Sequence, residues 1–219
     1  MPTLLIPDVH GDLPKLESLA PVIDEADHVV VLGDLFDSFD PYDAEGICKW
    51  ILEHVYNPRF VFIAGNHDCS YFFKHPYFQC SGYEKATQKL VDALLPADVR
   101  RQFKLWTEVG PFTVSHAGFH DRTIRYKTPE EHAIALDAAF SGGVHPLFMP
   151  GSVRGGFGVG GVTWQDWTYE FLDIPKLPQI VGHSRRDGLV RRKGKSWCVD
   201  TGLQTVVWVN GGDVEVVSI

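Results

Sequence analysis

A single predicted strand near the N-terminus restricts the fold of this chain more than any other segment. Residues 28–32 form a largely apolar run rich in valine, which is long enough for a buried strand. Gly33 ends the run, and Asp34 follows it directly. Open α/β sheets bind their ligands beyond the carboxyl ends of the strands, where this carboxylate lies. The stretch therefore predicts an α/β fold with Asp34 at the centre of a ligand site.

The predicted strands on either side of this stretch also lead into polar residues. The first strand, residues 3–6, is followed by Asp8 and His10, whose side chains point the same way in an extended segment because they are two residues apart. The third strand leads directly into Asn66 and His67. Alternation of strands and helices predicts a largely parallel sheet with right-handed crossovers. All three strand ends should then meet at one edge of the sheet.

Two later segments repeat this arrangement of an apolar strand followed by a histidine. Residues 112–115 lead into His116, and residues 179–181 lead into His183. Taken alone, a histidine at the end of a strand is usually a hydrogen-bonded structural residue. Five such loops in one chain, each carrying aspartate, asparagine or histidine, instead indicate one shared site.

The remaining segments predict less regular structure. Residues 141–161 contain eight glycines and Arg154, a composition that indicates a mobile loop rather than a core element. Three short alternating runs within residues 196–218 are separated by glycines. They predict an antiparallel meander with a hairpin turn at Asn210-Gly211.

Composition and charge exclude several classes of protein. The 219 residues are 44% hydrophobic and 22% charged, as in ordinary globular proteins, and with no linker or repeat they predict a single domain over residues 1–219. No apolar run reaches the ~18 residues of a membrane helix, so we expect no membrane partner. The net charge of −8 argues against nucleic acid as a partner.

The cysteines and the first residues of the chain predict a cytoplasmic protein. The four cysteines show no C-x-x-C spacing, which favours reduced thiols, and a Cys69–Cys80 disulfide is the alternative. The first residues carry no basic region and soon reach Asp8, so they do not resemble a signal peptide.

The five loops together predict a site for two divalent metal ions. Asp8 and Asp34 on neighbouring strand ends would repel each other by about 4 kcal/mol at ~4 Å and an effective dielectric of ~20. A pair of dications would remove this cost. Imidazole, carboxylate and amide ligands suit manganese, iron, zinc or cobalt better than calcium. Two dications on two carboxylates leave a surplus of about two positive charges, which matches a phosphate dianion.

Five sequence blocks resemble, in order, the motifs of the calcineurin-like metallophosphoesterases. They are Asp8-Val9-His10-Gly11, Gly33-Asp34-Leu35-Phe36-Asp37, Gly65-Asn66-His67-Asp68, Ser115-His116-Ala117-Gly118 and Gly182-His183-Ser184. Two further blocks resemble the phosphoprotein-phosphatase branch, which includes bacterial and phage phosphatases and diadenosine tetraphosphatases: Trp164-Gln165-Asp166 and Val199-Asp200-Thr201-Gly202. The resemblance implies a four-layer α/β fold, with a central mixed β-sandwich flanked by helices.

The resemblance also implies a role for each polar residue. The first metal ion would be held by Asp8, His10 and Asp34. The second would be held by Asp34, Asn66, His116 and His183. Manganese is the predicted metal, and iron, zinc, nickel and cobalt are alternatives. A hydroxide shared by the two ions would attack phosphorus directly.

The same resemblance implies that two further residues act in general acid catalysis. His67 would protonate the leaving oxygen, and Asp37 would hold the imidazole in its charged form. Where the phosphatase branch has Asp-Arg-Gly, however, this chain has Asp37-Ser38-Phe39, so the arginine that clamps the phosphate is missing from its usual position. Arg154 is the predicted replacement because its glycine-rich backbone can adapt. The alternatives are Arg122, Arg185 and Arg186.

The resulting functional prediction is a dinuclear metal-dependent phosphoesterase. Its substrates would be phosphomonoesters, carried by small molecules, nucleotides or phosphoproteins. A hydrolase of dinucleoside polyphosphates or cyclic nucleotides is the alternative, with the aromatic residues 71–78 stacking on a base. A non-catalytic, metal-stabilised scaffold is the third hypothesis, which the presence of both His67 and Asp37 disfavours.

Overall fold

The computed structural model describes residues 2–38 and 42–219. Phe39 lies outside the described residues, so the departure at Asp37-Ser38-Phe39 is described only as far as Ser38. No helix within the described ranges is both long enough and apolar enough to cross a membrane. All four cysteines are free thiols, as predicted.

The strands of the described chain form two five-stranded sheets, in the orders β10-β9-β1-β2-β3 and β4-β5-β6-β8-β7. In chain order they are β1 (Thr3–Ile6), β2 (His28–Val31), β3 (Phe60–Phe62), β4 (Trp106–Val109), β5 (Phe112–Ser115), β6 (Gln179–Val181), β7 (Arg191–Lys193), β8 (Ser196–Cys198), β9 (Thr205–Asn210) and β10 (Asp213–Ser218).

The first three strands of the chain are parallel neighbours in the first sheet. Leu5 of β1 pairs with Val30 of β2, and β3 pairs with β2 in the same direction. The predicted parallel arrangement is therefore confirmed, and the loops after β1, β2 and β3 lie at one edge. In the second sheet, β5 and β6 are also parallel, so the loops after them share an edge as well.

The predicted C-terminal meander is wrong in its pairing. The strand β8 lies in the second sheet, parallel to β6, whereas β9 and β10 form a hairpin at the edge of the first sheet. Asn210 pairs with Asp213, so the hairpin turn is Gly211-Gly212 and not Asn210-Gly211. An alternating pattern predicts that each segment is a strand, but it carries no information about a partner distant in sequence.

Apolar side chains pack between the two sheets because alternate residues of each strand point to opposite faces. The inward-facing cluster contains Leu5, Val30 and Val207 of the first sheet together with Phe112, Val114 and Ile180 of the second. Leu4 and Ile6 belong instead to the cluster that packs under the helices. The molecule is thus a mixed α/β fold with a central sandwich and flanking helices, as predicted.

The helices cover the outer apolar surfaces. They are α1 (Leu13–Ser18), α2 (Ala20–Glu25), α3 (Ala44–His54), α4 (Asn66–Phe72), α5 (Lys85–Leu94), α6 (Ala97–Arg100) and α7 (Pro129–Phe140). The glycine-rich segment has no strand or long helix and contains two short 3₁₀ turns, Pro146–Phe148 and Ser152–Arg154.

Candidate active site

Side chains from four loops converge on one nitrogen atom at the shared edge of the two sheets. His116 Nε2 lies 3.3 Å from Asp34 Oδ2, 3.1 Å from Asn66 Oδ1 and 3.2 Å from His183 Nδ1. The two aspartate-bearing loops are also tied to histidine loops through the backbone: the His183 amide donates to Asp8 Oδ2 at 2.8 Å, and the His67 amide donates to Asp34 Oδ1 at 2.9 Å. The structure therefore brings together residues far apart in sequence.

Two groups of side chains have the spacing that a metal ion requires. The ligand atoms of Asp34, His116 and His183 lie within 4.8 Å of one another, and so do those of His10, Asp34 and His67. Asp34 belongs to both groups. The predicted ligand Asp8 belongs to neither group, but it is 1% exposed and lies close enough for its Oδ2 to be 4.0 Å from His116 Nδ1.

Backbone strain concentrates in these loops. Five non-glycine residues of the described chain have a positive φ, and four of them are His10 (47°), Asp34 (47°), Asp37 (65°) and His183 (65°). Such conformations cost about 1–3 kcal/mol each and persist only where the surrounding structure imposes them. Their coincidence with the convergent side chains indicates that the fold holds these loops for a function.

Glycines allow the backbone to approach the two central carboxylates. A Cβ atom on Gly65 would lie 2.1 Å from Asp34 Oδ1, and a Cβ atom on Gly182 would lie 2.0 Å from Asp8 Oδ1. Neither distance is compatible with any side chain larger than hydrogen. The glycine in each of these blocks is thus required for space, because neither residue has a positive φ.

The buried charges at the centre depend on one another. Burial disfavours the charged form of Asp34, but the charges of His116 and His67 outweigh it and hold the pKa of Asp34 well below its usual value. Burial, helped by Asp200 and Asp34, raises the pKa of Asp8 well above its usual value. In their charged forms these carboxylates need nearby positive charge, which a divalent cation can supply.

The buried His116 and the half-buried His183, which share a group with Asp34, differ in the direction of their pKa shifts. Burial opposes the charged form of His116, but Asp34 and Asp8 raise its pKa to about 10. Burial and the charge of His116 lower the pKa of His183 well below its usual value. His183 is therefore a neutral imidazole, which is the form that binds metals.

Beside this centre, His67 and Asp37 form a hydrogen-bonded pair. His67 Nδ1 donates to Asp37 Oδ2 at 3.0 Å. The Tyr71 hydroxyl donates to the other oxygen of the same carboxylate, and Tyr42 lies 3.5 Å from that oxygen. Burial opposes the charged form of His67, yet Asp34 and Asp37 raise its pKa above the usual value. The pair can thus hold a proton near the cavity.

A cavity of about 340 Å³ opens onto the convergent side chains. Its described lining includes His10, Asp34, Asn66, His67 and His183 together with Asp37, Ser38, Ser81, Gly82, Arg154, Trp164 and Arg185. Arg154 donates from Nη2 to Asp166 Oδ2 at 3.0 Å. Of the four arginines considered from the sequence, Arg154 and Arg185 are therefore among the described lining residues, whereas Arg122 and Arg186 are not.

The aromatic residues of the 71–78 segment are not among the described lining residues of the cavity, and Tyr77, which is 37% exposed, is the one of the five that is not buried. Tyr71, Phe72, Phe73 and Phe78 are each at most 3% exposed and pack in the core under the helices. The sequence analysis expected these rings to stack on a base, but α4 and the following 3₁₀ turn direct the four rings inward. Trp164 is the aromatic residue that lines the cavity, and its ring lies edge-on to the His183 ring at 5.7 Å.

Sequence reasoning missed the supporting role of two residues near the site. Asp68 accepts the amides of Leu35 and Gly65, both at 2.9 Å, and so joins the loops after β2 and β3. Tyr71 contacts Asp37 from α4, four residues after His67. A spacing of four residues places Tyr71 on the same side of the helix as His67. A helix predicted from residue 66 would therefore have revealed that Tyr71 lies near His67.

Comparison with known proteins gives one family and one fold. The family model of the calcineurin-like phosphoesterases matches residues 1–186. A cold-active protein-tyrosine phosphatase of a psychrophilic Shewanella species has a similar structure, with a TM-score of 0.68 and 15% identity over 99% of this chain and 80% of that one. A comparison with curated protein sequences finds no match.

Two further structures share the fold. A Saccharomyces cerevisiae serine/threonine phosphatase with similarity to human PP5 has a TM-score of 0.54 and 19% identity over 100% of this chain and 80% of that one. A candidate diadenosine tetraphosphatase has a TM-score of 0.54 and 16% identity over 99% of this chain and 93% of that one. At these identities the likeness is evidence for the fold alone.

Proposed function

Because this chain belongs to the calcineurin-like phosphoesterase family, we propose that it is a dinuclear metal-dependent phosphoesterase that hydrolyses phosphomonoesters, phosphoproteins included. One observation carries the proposal: the cavity that exposes the atoms gathered around His116 Nε2 also contains the His67–Asp37 pair. A cation-binding centre and a proton donor thus face the same space, as hydrolysis of a phosphate ester requires.

The side chains around Asp34 fit divalent ions. Asp8 Oδ1 and His183 Nε2 are buried without a hydrogen-bond partner among the described residues, which is costly in a folded protein. The first ion would bind to Asp8, His10 and Asp34. The second would bind to Asp34, Asn66, His116 and His183. This mixture of carboxylate, imidazole and amide suits manganese first, with iron, zinc, nickel or cobalt as alternatives.

Protein side chains bind the phosphate and supply the proton for the leaving oxygen. When bound, the ions supply a water of lowered pKa and offset the charge of the phosphate. His67 has Nδ1 engaged by Asp37, so its Nε2 is the atom that gives a proton to the leaving oxygen. The raised pKa of His67, caused by Asp34 and Asp37 against the effect of burial, supports this role because it favours the protonated imidazole.

Arg154 binds the phosphate in place of the arginine that is missing from the usual position. It lines the cavity, and its contact with Asp166 holds the guanidinium while leaving other N–H groups for an anion. A planar guanidinium binds two phosphate oxygens at once, which fixes the orientation of the phosphate.

Cleavage of dinucleoside polyphosphates or cyclic nucleotides is the second candidate function. The observation that favours it is Trp164, an aromatic ring in the cavity wall on which a nucleobase could stack. Release of a mononucleotide from a dinucleotide substrate would decide for this function.

The decisive experiment is a screen of metal-reconstituted protein against phosphomonoesters, phosphodiesters and pyrophosphate esters. We expect His67→Asn to keep both metals and to lose about 10²–10⁴-fold in turnover, the usual contribution of a general acid. His28→Asn, at an exposed histidine on β2, is the matched control and should change neither. Unchanged turnover in His67→Asn would remove His67 from the mechanism.

A second variant tests the shared carboxylate. We expect Asp34→Asn to lose metal and activity together, while the exposed Asp27→Asn keeps both. Full metal content in Asp34→Asn would contradict a bridging role. Two equivalents of metal in the native protein without hydrolysis of any ester would instead favour a non-catalytic scaffold.

A further inference from the structure

Arg185 is the second arginine of the cavity lining, and the mechanism proposed above does not use it. Its side chain is 52% exposed, and Nε donates to Asp187 Oδ1 at 2.6 Å. Arg154 also has an aspartate partner, but it donates from Nη2 to Asp166 Oδ2. Each arginine of the cavity wall is thus fixed by its own aspartate.

The backbone at Gly202 is shaped to receive the Arg185 guanidinium. Gly202 has a φ of +68°, and a Cβ atom there would lie within 2.8 Å of Nε, Nη2 and Cζ of Arg185. The Gly202 amide in turn donates to Asp200 Oδ1 at 3.2 Å. The guanidinium therefore rests against a backbone position that only glycine leaves open. The Asp187 contact occupies Nε, so the terminal N–H groups face no carboxylate in the described contacts.

The cavity is larger than one phosphate group needs. Its volume of about 340 Å³ falls within the ~300–1,000 Å³ of sites that enclose whole small ligands. Both arginines and Trp164 lie in its wall together with His183, whereas His67 and Asp37 contribute the acid–base pair. If Arg154 holds the reacting phosphate, Arg185 is left for another anionic group of the same molecule.

We propose that Arg185 binds a second phosphate joined to the reacting one, so that the site prefers phosphoesters with a terminal pyrophosphate, such as nucleoside diphosphates, over monophosphates. This rests on the proposed function. In the reaction, the oxygen of water bonds to the terminal phosphorus and releases one proton to solvent, while the bond from that phosphorus to the bridging oxygen breaks. The proton of His67 passes to the bridging oxygen, which leaves with the second phosphate.

The test compares adenosine diphosphate with adenosine monophosphate on manganese-loaded protein. We expect Arg185→Gln to reduce the preference for the diphosphate, as the ratio of the two kcat/KM values, by about tenfold or more, since a hydrogen bond between charged groups is lost. Arg185→Lys should retain part of the preference because it keeps the charge without the planar fork. The neighbouring Arg186→Gln, an exposed arginine outside the lining, is the control and should keep the full ratio.

A binding measurement separates this inference from the proposed function. Calorimetric titration with inorganic pyrophosphate and with phosphate reports the same preference without turnover, and Arg185→Gln should again lose it. Equal affinity for both anions in the native protein, or an unchanged ratio in Arg185→Gln, would overturn the inference. If Arg185→Gln selectively lost turnover of acidic phosphopeptides and not of adenosine diphosphate, the inference would also be overturned. Absence of turnover with every ester, while pyrophosphate binding still depends on Arg185, would count against the proposed function alone.

Discussion

Two central carboxylates lie against glycine backbone with no room for a methyl group. Positions 65 and 182 require glycine because oxygen atoms of Asp34 and Asp8, respectively, occupy the space that a side chain would need. At the scale of single residues, space and backbone strain thus distinguish the site from the rest of the chain. The lack of space gives a prediction that does not depend on the identity of the substrate.

The first prediction concerns Gly182→Ala. The new methyl group would overlap Asp8 Oδ1, so Asp8 must move and we expect metal content and activity to fall by at least tenfold. Gly212→Ala is the matched control, because a Cβ atom at Gly212 would have no neighbour within 4 Å and the φ of Gly212 is not positive. Metal analysis and circular dichroism of both variants make the comparison. A Gly182→Ala protein with full metal content would show that Asp8 is not a ligand.

The second prediction concerns Tyr71, which positions Asp37. Tyr71→Phe removes the hydroxyl that donates to Asp37, so the carboxylate should hold His67 less well. We expect turnover of phenyl phosphate to fall about tenfold, the effect of one hydrogen bond to a charged group, and that of p-nitrophenyl phosphate to fall less, because its leaving group needs the proton less.

A matched tyrosine–aspartate pair outside the site provides the control for Tyr71→Phe. The Tyr56 hydroxyl donates to Asp98 Oδ2 at 2.6 Å on the exposed surface, so Tyr56→Phe should leave both turnover numbers unchanged. An equal loss for both substrates in Tyr71→Phe would indicate general destabilisation in place of a positioning role.

At the scale of elements, what could be read from the sequence was local. The Asp, Asn and His residues after β1, β2, β3, β5 and β6 were identified because each strand and its loop are contiguous in sequence. The support from Tyr71 was missed because residues 71–78 were interpreted as a stacking surface, whereas Tyr71 lies in α4. The partner of β8 was missed because parallel pairing with β6 depends on contacts that alternation does not encode.

The contact between helix α7 and the segment before β4 should depend on pH. His132 on this helix accepts the Leu105 amide at 3.0 Å through Nε2, just before β4. Burial, and then the charge of Lys104, lower the pKa of His132 below its usual value. The folded state therefore favours the neutral form of the His132 imidazole. The resulting stabilisation of the fold is fully present above the ordinary histidine pKa of ~6.5, and it is lost as the pH falls through the lowered pKa of His132.

The third prediction follows from that sign. Between pH 7.5 and 5, in the presence of chelator, the free energy of unfolding of the native chain should fall more than that of His132→Gln, whose side chain does not titrate. Urea denaturation at several pH values measures the difference. The exposed His28→Gln should behave like the native chain, and parallel curves for His132→Gln and the native chain would contradict the prediction.

At the scale of the whole molecule, the candidate site joins the two sheets. Asp8, Asp34 and Asn66 follow strands of the first sheet, whereas His116 and His183 follow strands of the second. Ions bound by both sets would therefore stabilise the sandwich as a unit, since a ligand that binds only the folded state shifts the folding equilibrium.

The fourth prediction is that metal removal lowers the melting temperature. At a free ion concentration of 100 times the dissociation constant, the stabilisation should be about 2.7 kcal/mol, and excess chelator should abolish it. Asp34→Asn should melt at the same temperature with and without metal, whereas Asp27→Asn should keep the difference. A full metal-dependent increase in Asp34→Asn would exclude the shared site.

The pairing of β1 with β9 has a consequence for synthesis on the ribosome. Thr3 pairs with Val209, so β1 emerges long before the strand that covers one of its edges. Until β9 is translated, that edge exposes unpaired amides and carbonyls to any nearby nascent chain. Polysomes making this protein should therefore depend on chaperones that bind the emerging N-terminal segment and keep neighbouring copies apart.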